Sequence, residues 1–80
     1  MRNDITIITI TPPEKGEFTN YEPARFIIKE DNGNIIIDSF SPSFGWLSNR
    51  EDLNRTKLLQ HVKTMQRQGF NVDFQIIESI

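Results

Sequence analysis

The tripeptide Asp31-Asn32-Gly33 constrains the fold of this 80-residue chain more than any other feature of its sequence. Residues 24–30 and 34–40 flank it, and both segments have the alternating apolar pattern of a strand. An Asn-Gly pair supplies the two positive-φ positions of a type I′ turn, whose twist suits a tight hairpin. The sequence therefore predicts a hairpin with the pairs Glu30–Ile35, Ile28–Ile37 and Phe26–Ser39.

This register assigns the hairpin side chains to two faces, because successive residues of a strand point in opposite directions. One face is predicted to carry Phe26, Ile28, Ile35 and Ile37. The other carries Arg25, Lys29 and Asp38.

A strand is also predicted at the start of the chain, from about Asp4 to Thr11. It has apolar residues on both faces, with Ile5 and Ile7 on one and Ile8 and Ile10 on the other. A strand with two apolar faces is typical of the centre of a sheet covered on both sides, and a bulge between Ile7 and Ile8 is the alternative. We favour the central position.

One helix is predicted between two well-marked ends. Ser48-x-x-Glu51 has the form of a capping box. Gly69 can take a left-handed conformation after Gln68, and Phe70 can fold back onto the last turn. The apolar stripe between these ends consists of Leu58, Leu59, Val62 and Met65.

A final strand is predicted from Asn71 to Ser79, with Val72, Phe74 and Ile76 on one face. The element order is then β-β-β-α-β. A helix that returns across the sheet leaves the last strand parallel to its neighbour. We therefore expect one α+β domain over residues 1–80, with a four-stranded mixed sheet in the order 4-1-2-3 and the helix on one face.

Composition limits the chemistry available to the chain. It has no cysteine, which excludes disulfides and thiolate metal sites, and its single histidine, His61, leaves very little for a histidine-based metal site or triad. The run Asp31-Asn32-Gly33-Asn34 resembles the start of a calcium loop, but the acidic twelfth position is Pro42. We expect no enzyme, no cofactor and no metal. Apolar runs of at most three residues indicate no membrane span, and we expect a cytoplasmic protein.

Two irregular segments, residues 11–23 and 40–47, carry aromatic side chains that the predicted core does not use. Aromatic residues are enriched at the buried centres of protein interfaces, although they also close small cores. The candidate partner-binding residues are Phe18, Tyr21, Phe44 and Trp46. If strands one and three run in the same direction, both segments lie at the same end of the sheet.

The helix offers an alternative surface. From Leu53 to Gln68 the chain has four basic residues and no acidic one, and Lys57, Lys63 and Arg67 fall on its exposed side. Such a face can contact nucleic-acid phosphates, although the isoelectric point of about 5.2 is unlike that of most such proteins.

The leading hypothesis is a non-enzymatic module that binds a protein partner through the aromatic segments. A phage or mobile-element inhibitor or accessory factor would fit the small size and the twelve isoleucines and seven asparagines, which AT-rich coding DNA favours. Nucleic-acid binding through the helix is the first alternative. The second is a structural subunit, for example a homodimer, assembled through the edge of strand three near Ile36.

Overall fold

The protein, in a computed structural model that describes residues 3–31 and 33–79, is a five-stranded antiparallel sheet with one helix. The order across the sheet is β4-β3-β2-β1-β5. The elements are β1 (Asn3–Thr11), β2 (Ala24–Asp31), β3 (Asn34–Ser41), β4 (Gly45–Leu47), α1 (Arg55–Arg67) and β5 (Asn71–Ser79).

The hairpin of β2 and β3 has the predicted register, with the pairs Glu30–Ile35, Ile28–Ile37 and Phe26–Ser39. Gly33 has a φ of 83°, as the turn requires. Asn32 lies outside the described residues. Local turn chemistry and the apolar pattern therefore agree on the pairing, and the prediction is confirmed.

The four-strand prediction missed β4. Ser41 pairs with Gly45, and Pro42-Ser43-Phe44 forms the turn between them. Gly45, the first residue of β4, has a φ of 68°, a left-handed conformation that glycine adopts without steric cost. Proline early in the turn and glycine at its end are the sequence signal for this second hairpin.

The missed strand also explains why the sheet is antiparallel and not mixed. β4 reverses the chain, so that α1 starts near the end of β2, where Arg55 pairs with Glu30 at 3.1 Å. The helix then runs back along the sheet, and β5 begins opposite the end of β1, with Asn71 beside Thr11. The last strand is next to the first, as predicted, but it is antiparallel to it.

The helix begins six residues later than the capping box predicted. Its N-cap is Asn54, whose side chain accepts a hydrogen bond from the Lys57 amide at 2.8 Å. The preceding residues pair with the edge of β3 instead, because the Arg50 amide donates to the Ile37 carbonyl at 2.7 Å. Asn49 has a φ of 53°, which is incompatible with the first turn of a helix.

The predicted end of the helix is confirmed. The Phe70 amide donates to the Met65 carbonyl at 3.0 Å, and the Gly69 amide donates to the Gln66 carbonyl at 3.1 Å. With Gly69 at a φ of 94°, these two bonds define a Schellman motif.

The buried core lies on one side of the sheet, between the strands and α1. The prediction that β1 is covered on both faces is therefore wrong. β1 is central, between β2 and β5, but Ile5 and Ile7 lie on the face opposite the helix and are only half-buried. The core consists of Ile8, Ile10, Phe26, Ile28, Ile37, Leu58, Val62 and Phe70.

Candidate interaction surface

The face of the sheet opposite α1, called the open face below, carries more apolar side chains than a solvated face normally does. An antiparallel sheet with one face in water usually alternates apolar inward and polar outward residues. Here the strand register places seven large apolar residues on the outward side. They are Ile5, Ile7, Ile27, Ile36, Phe40, Trp46 and Ile77.

The aromatic end of the open face contains a cavity. The rings of Phe40 and Trp46 lie on paired residues of β3 and β4, with their centroids 5.2 Å apart. Together with Thr9, Pro23, Ala24 and Arg25 they line a cavity of about 300 Å³. Trp46 is 50% exposed, and Arg25 is also exposed. The site can therefore accept an apolar group beside an anionic one.

Asp38 is a charged residue on this face that two groups hold in place. It is nearly buried, its carboxylate accepts from the Asn49 amide at 2.8 Å, and it lies 3.2 Å from the Lys29 ammonium. The hydrogen bond from Asn49 is the main reason that the pKa of Asp38 lies below its usual value, and burial opposes it. Asp38 thus anchors the segment before the helix to the margin of the open face.

Arg50 completes this anchor from the other side of β3. Its guanidinium donates to the Ser39 hydroxyl at 2.9 Å and holds the carboxylate of Asp52. That contact lowers the pKa of Asp52. Residues that the sequence placed in the first turn of the helix therefore secure the outer margin of the sheet.

The four aromatic candidates do not form one patch. Phe18 and Tyr21 pack with Phe70 on the helix side of the sheet, with centroid distances of 5.2 to 5.9 Å among the three rings. Trp46 lies on the open face, and Phe44, in the turn beside it, is 77% exposed.

Both aromatic segments nevertheless lie at the same end of the molecule, as predicted. The Ser43 hydroxyl and amide donate to the two carboxylate oxygens of Glu22, which joins the β3–β4 turn to the loop before β2. The two pairs of aromatic residues are separated because that end of the sheet lies between them.

The sequence did not identify the isoleucines of the open face as a surface. The signal was present in the two-sided apolar pattern of β1 and in Ile27 and Ile36 of the hairpin. We interpreted that pattern as a strand covered twice. The structure places these residues on a face that no described element covers.

The basic residues of the helix, Lys57, Lys63 and Arg67, are all exposed. His61 is exposed as well, with the centroid of its ring 6.2 Å from that of Phe26. Among residues 3–31 and 33–79, no group of three or more acidic or histidine side chains is arranged to hold a metal ion.

The accessible area of the chain is large for its mass. A folded monomer of 9.3 kDa is expected to expose about 5,000 Å². This chain exposes 5,879 Å², so the excess is roughly 900 Å². One side of a standard protein–protein interface buries about 800 Å². The excess is therefore the size of one interface.

Comparison of the chain with protein-family models, with curated proteins and with solved structures finds no match. In the described part of the chain, no helix has the length and apolar character needed to cross a membrane.

Proposed function

We propose that this chain is a non-enzymatic protein-interaction domain that binds a protein partner on its open face. One observation carries the proposal: seven large apolar side chains occupy the side of the sheet that the helix does not cover. Contiguous exposed apolar surface on a small protein typically marks a binding site.

The chemistry of the face defines the partner. The isoleucines of β1, β2 and β3 form an apolar area, and Lys29 with Asp38 forms a charge pair within it. At one end, the cavity beside Trp46 and the exposed Arg25 suits an apolar side chain flanked by a carboxylate. The proposed partner is therefore a protein with an apolar surface and an acidic residue at its margin.

The test uses two single substitutions on opposite sides of the sheet. Ile36→Lys adds a charge to the open face, where Ile36 is 38% exposed. Leu47→Lys is the matched control, because Leu47 is 43% exposed but points to the helix side. Proteins captured from a lysate by the unmodified chain are purified and their affinities for both variants are measured. We expect Ile36→Lys to weaken binding at least tenfold, as burying an unpaired charge would, and Leu47→Lys to leave it unchanged.

Trp46 provides a second measurement on the same site. It is the only tryptophan of the chain, so its fluorescence reports this position alone. Partner binding should shift the emission to shorter wavelength as the half-exposed ring is buried. A captured partner that binds Ile36→Lys as tightly as the unmodified chain, with no change in Trp46 emission, would place the interface elsewhere.

The exposed basic residues of α1 support a second candidate function, nucleic-acid binding. It would depend on counterion release and so weaken steeply with salt. The test is titration of single- and double-stranded DNA at low salt with the unmodified chain and with a double variant, Lys63→Glu with Arg67→Glu. Equal binding of both, or none, rules this function out.

A further inference from the structure

The two outer edges of the sheet differ in how they are protected. The edge strand β4 has only three residues, and the turn before it contains proline. β5 at the other edge has nine residues that pair with β1 without interruption. Its sequence contains two acidic residues, Asp73 and Glu78, but neither proline nor lysine, which are among the usual devices that prevent edge pairing. The outer backbone groups of β5 are thus available to another strand.

The side chains that flank this edge are apolar and exposed. Phe74 and Ile76 point to the helix side, where Ile76 is 68% exposed, and Ile77 points to the open side. Phe74 and Ile76 also line a groove of about 330 Å³ between β5 and Leu59 of the helix. A strand added at this edge would gain backbone hydrogen bonds and apolar contacts together.

We infer that β5 is the dimerisation strand of this protein and pairs antiparallel with β5 of a second copy. Directly opposite residues in an antiparallel pair carry their side chains on the same face of the sheet. A two-fold symmetric pair must therefore be centred on a residue. Gln75 is the middle residue of Asn71–Ser79, and centring there pairs all nine residues.

This register makes the strand complementary to itself. Phe74 lies opposite Ile76 of the second copy, so the exposed apolar residues on the helix side meet each other. Asp73 lies opposite Ile77, so its charge does not face a like charge. At the axis, the Gln75 side chain meets its own copy, and two amides can form a hydrogen bond.

The resulting dimer is a continuous ten-stranded sheet with both helices on one face. Its open face is twice as large and remains uncovered, so partner binding and dimerisation share only the margin at Ile77.

Charge-reversal pairing at position 75 tests the register. Gln75→Lys and Gln75→Glu each place two like charges opposite one another, and we expect each to raise the dimer dissociation constant by up to about fivefold. Mixing the two variants should restore association as a heterodimer. Sedimentation equilibrium measures each constant, with Gln60→Lys and Gln60→Glu on the exposed helix surface as controls.

Cross-linking gives an independent test, because the chain has no cysteine. Opposite residues in an antiparallel pair have Cα atoms about 4.5 to 5.5 Å apart, which suits a disulfide. Mild oxidation should link Gln75→Cys into dimers faster than Gln60→Cys, and independently of Ile36→Lys. A chain that stays at 9.3 kDa into the millimolar range overturns the inference. A dimer whose dissociation constant does not change with the charge at position 75 also overturns the inference, because that dimer must use another surface or register.

Discussion

At the scale of single residues, Asp38 is both a buried charge and the anchor of a non-helical segment. Its pKa is lowered chiefly by the hydrogen bond from the Asn49 amide. A carboxyl group whose pKa is lower in the folded state than in the unfolded chain contributes stability that is present above about pH 4 and is lost as the pH falls through the folded-state value.

We therefore expect the stability of the unmodified chain to fall on acidification below about pH 4, and Asp38→Asn to remove part of that fall. At neutral pH the variant should be less stable by about 1 kcal/mol, since a neutral amide accepts a weaker hydrogen bond than a carboxylate does. Urea unfolding across the pH range measures both effects. Gln60→Ala, exposed on α1, is the control and should leave the acid dependence intact.

The start of the helix gives a second prediction for single residues. The side chain of Asn54, not that of Ser48, caps the first turn. Asn54→Ala should cost about 1 kcal/mol and lower Tm by roughly 5 °C in a domain of this size. Ser48→Ala should change Tm little. If Ser48→Ala lowers Tm more than Asn54→Ala does, the helix begins at the capping box that the sequence predicted.

At the scale of secondary-structure elements, local chemistry predicted those features that depend on neighbouring residues. The register of β2 and β3 followed from one turn, and the end of the helix followed from Gly69 and Phe70. The alternation of β5 predicted its bounds. Each of these features depends on backbone geometry within a few residues.

The missed features depend on contacts between distant parts of the chain. Asn49 and Arg50 lie outside the helix because their amides bind to β3. The Asn49 amide donates to the Asp38 carboxylate, and the Arg50 amide donates to the Ile37 carbonyl. β4 is three residues long, too short for a periodic signal, yet its reversal sets the direction of β5. The open face was missed for the same reason: apolar residues on both sides of a strand do not reveal whether a second layer exists.

The β3–β4 hairpin carries the prediction at this scale. Gly45 has a left-handed φ of 68°, and nothing lies within 4 Å of the position of an added Cβ, so a substitution there tests backbone strain alone. Gly45→Ala should cost about 1 to 2 kcal/mol, and Gly45→Asn should cost less, because asparagine tolerates this conformation. Thermal unfolding ranks the variants. Emission from Trp46 should move to longer wavelength in Gly45→Ala if β4 separates from β3.

At the scale of the whole molecule, one helix is too narrow to cover five strands on even one face. The radius of gyration is 13.4 Å, whereas a compact domain of this length is expected to have about 11.6 Å. The chain is therefore extended, with extents of 44 × 21 × 19 Å, and leaves apolar surface at the β5 edge and on the open face.

Because the core lies on one side of the sheet, substitutions of two adjacent residues of β1 should have very different effects on stability, and this difference tests the whole arrangement. Ile8 is 1% exposed beneath the helix, and Ile7 is half-buried on the open face. Ile8→Ala should cost about 2 to 5 kcal/mol, a large part of the roughly 4 to 12 kcal/mol expected for 80 residues. Ile7→Ala leaves no closed cavity and should cost clearly less.

We expect the opposite order for partner affinity, with position 7 mattering more than position 8. Ile8→Val, which costs about 0.5 to 1.5 kcal/mol and keeps the chain folded, should leave partner affinity unchanged, because the side chain does not reach the open face. Ile7→Ala should weaken partner binding severalfold, since it removes contact area from the centre of that face. Urea unfolding and partner titration of both variants give the four values needed. If Ile7→Ala proves as destabilising as Ile8→Ala and leaves partner affinity unchanged, then the open face acts as core and the proposed interface is wrong.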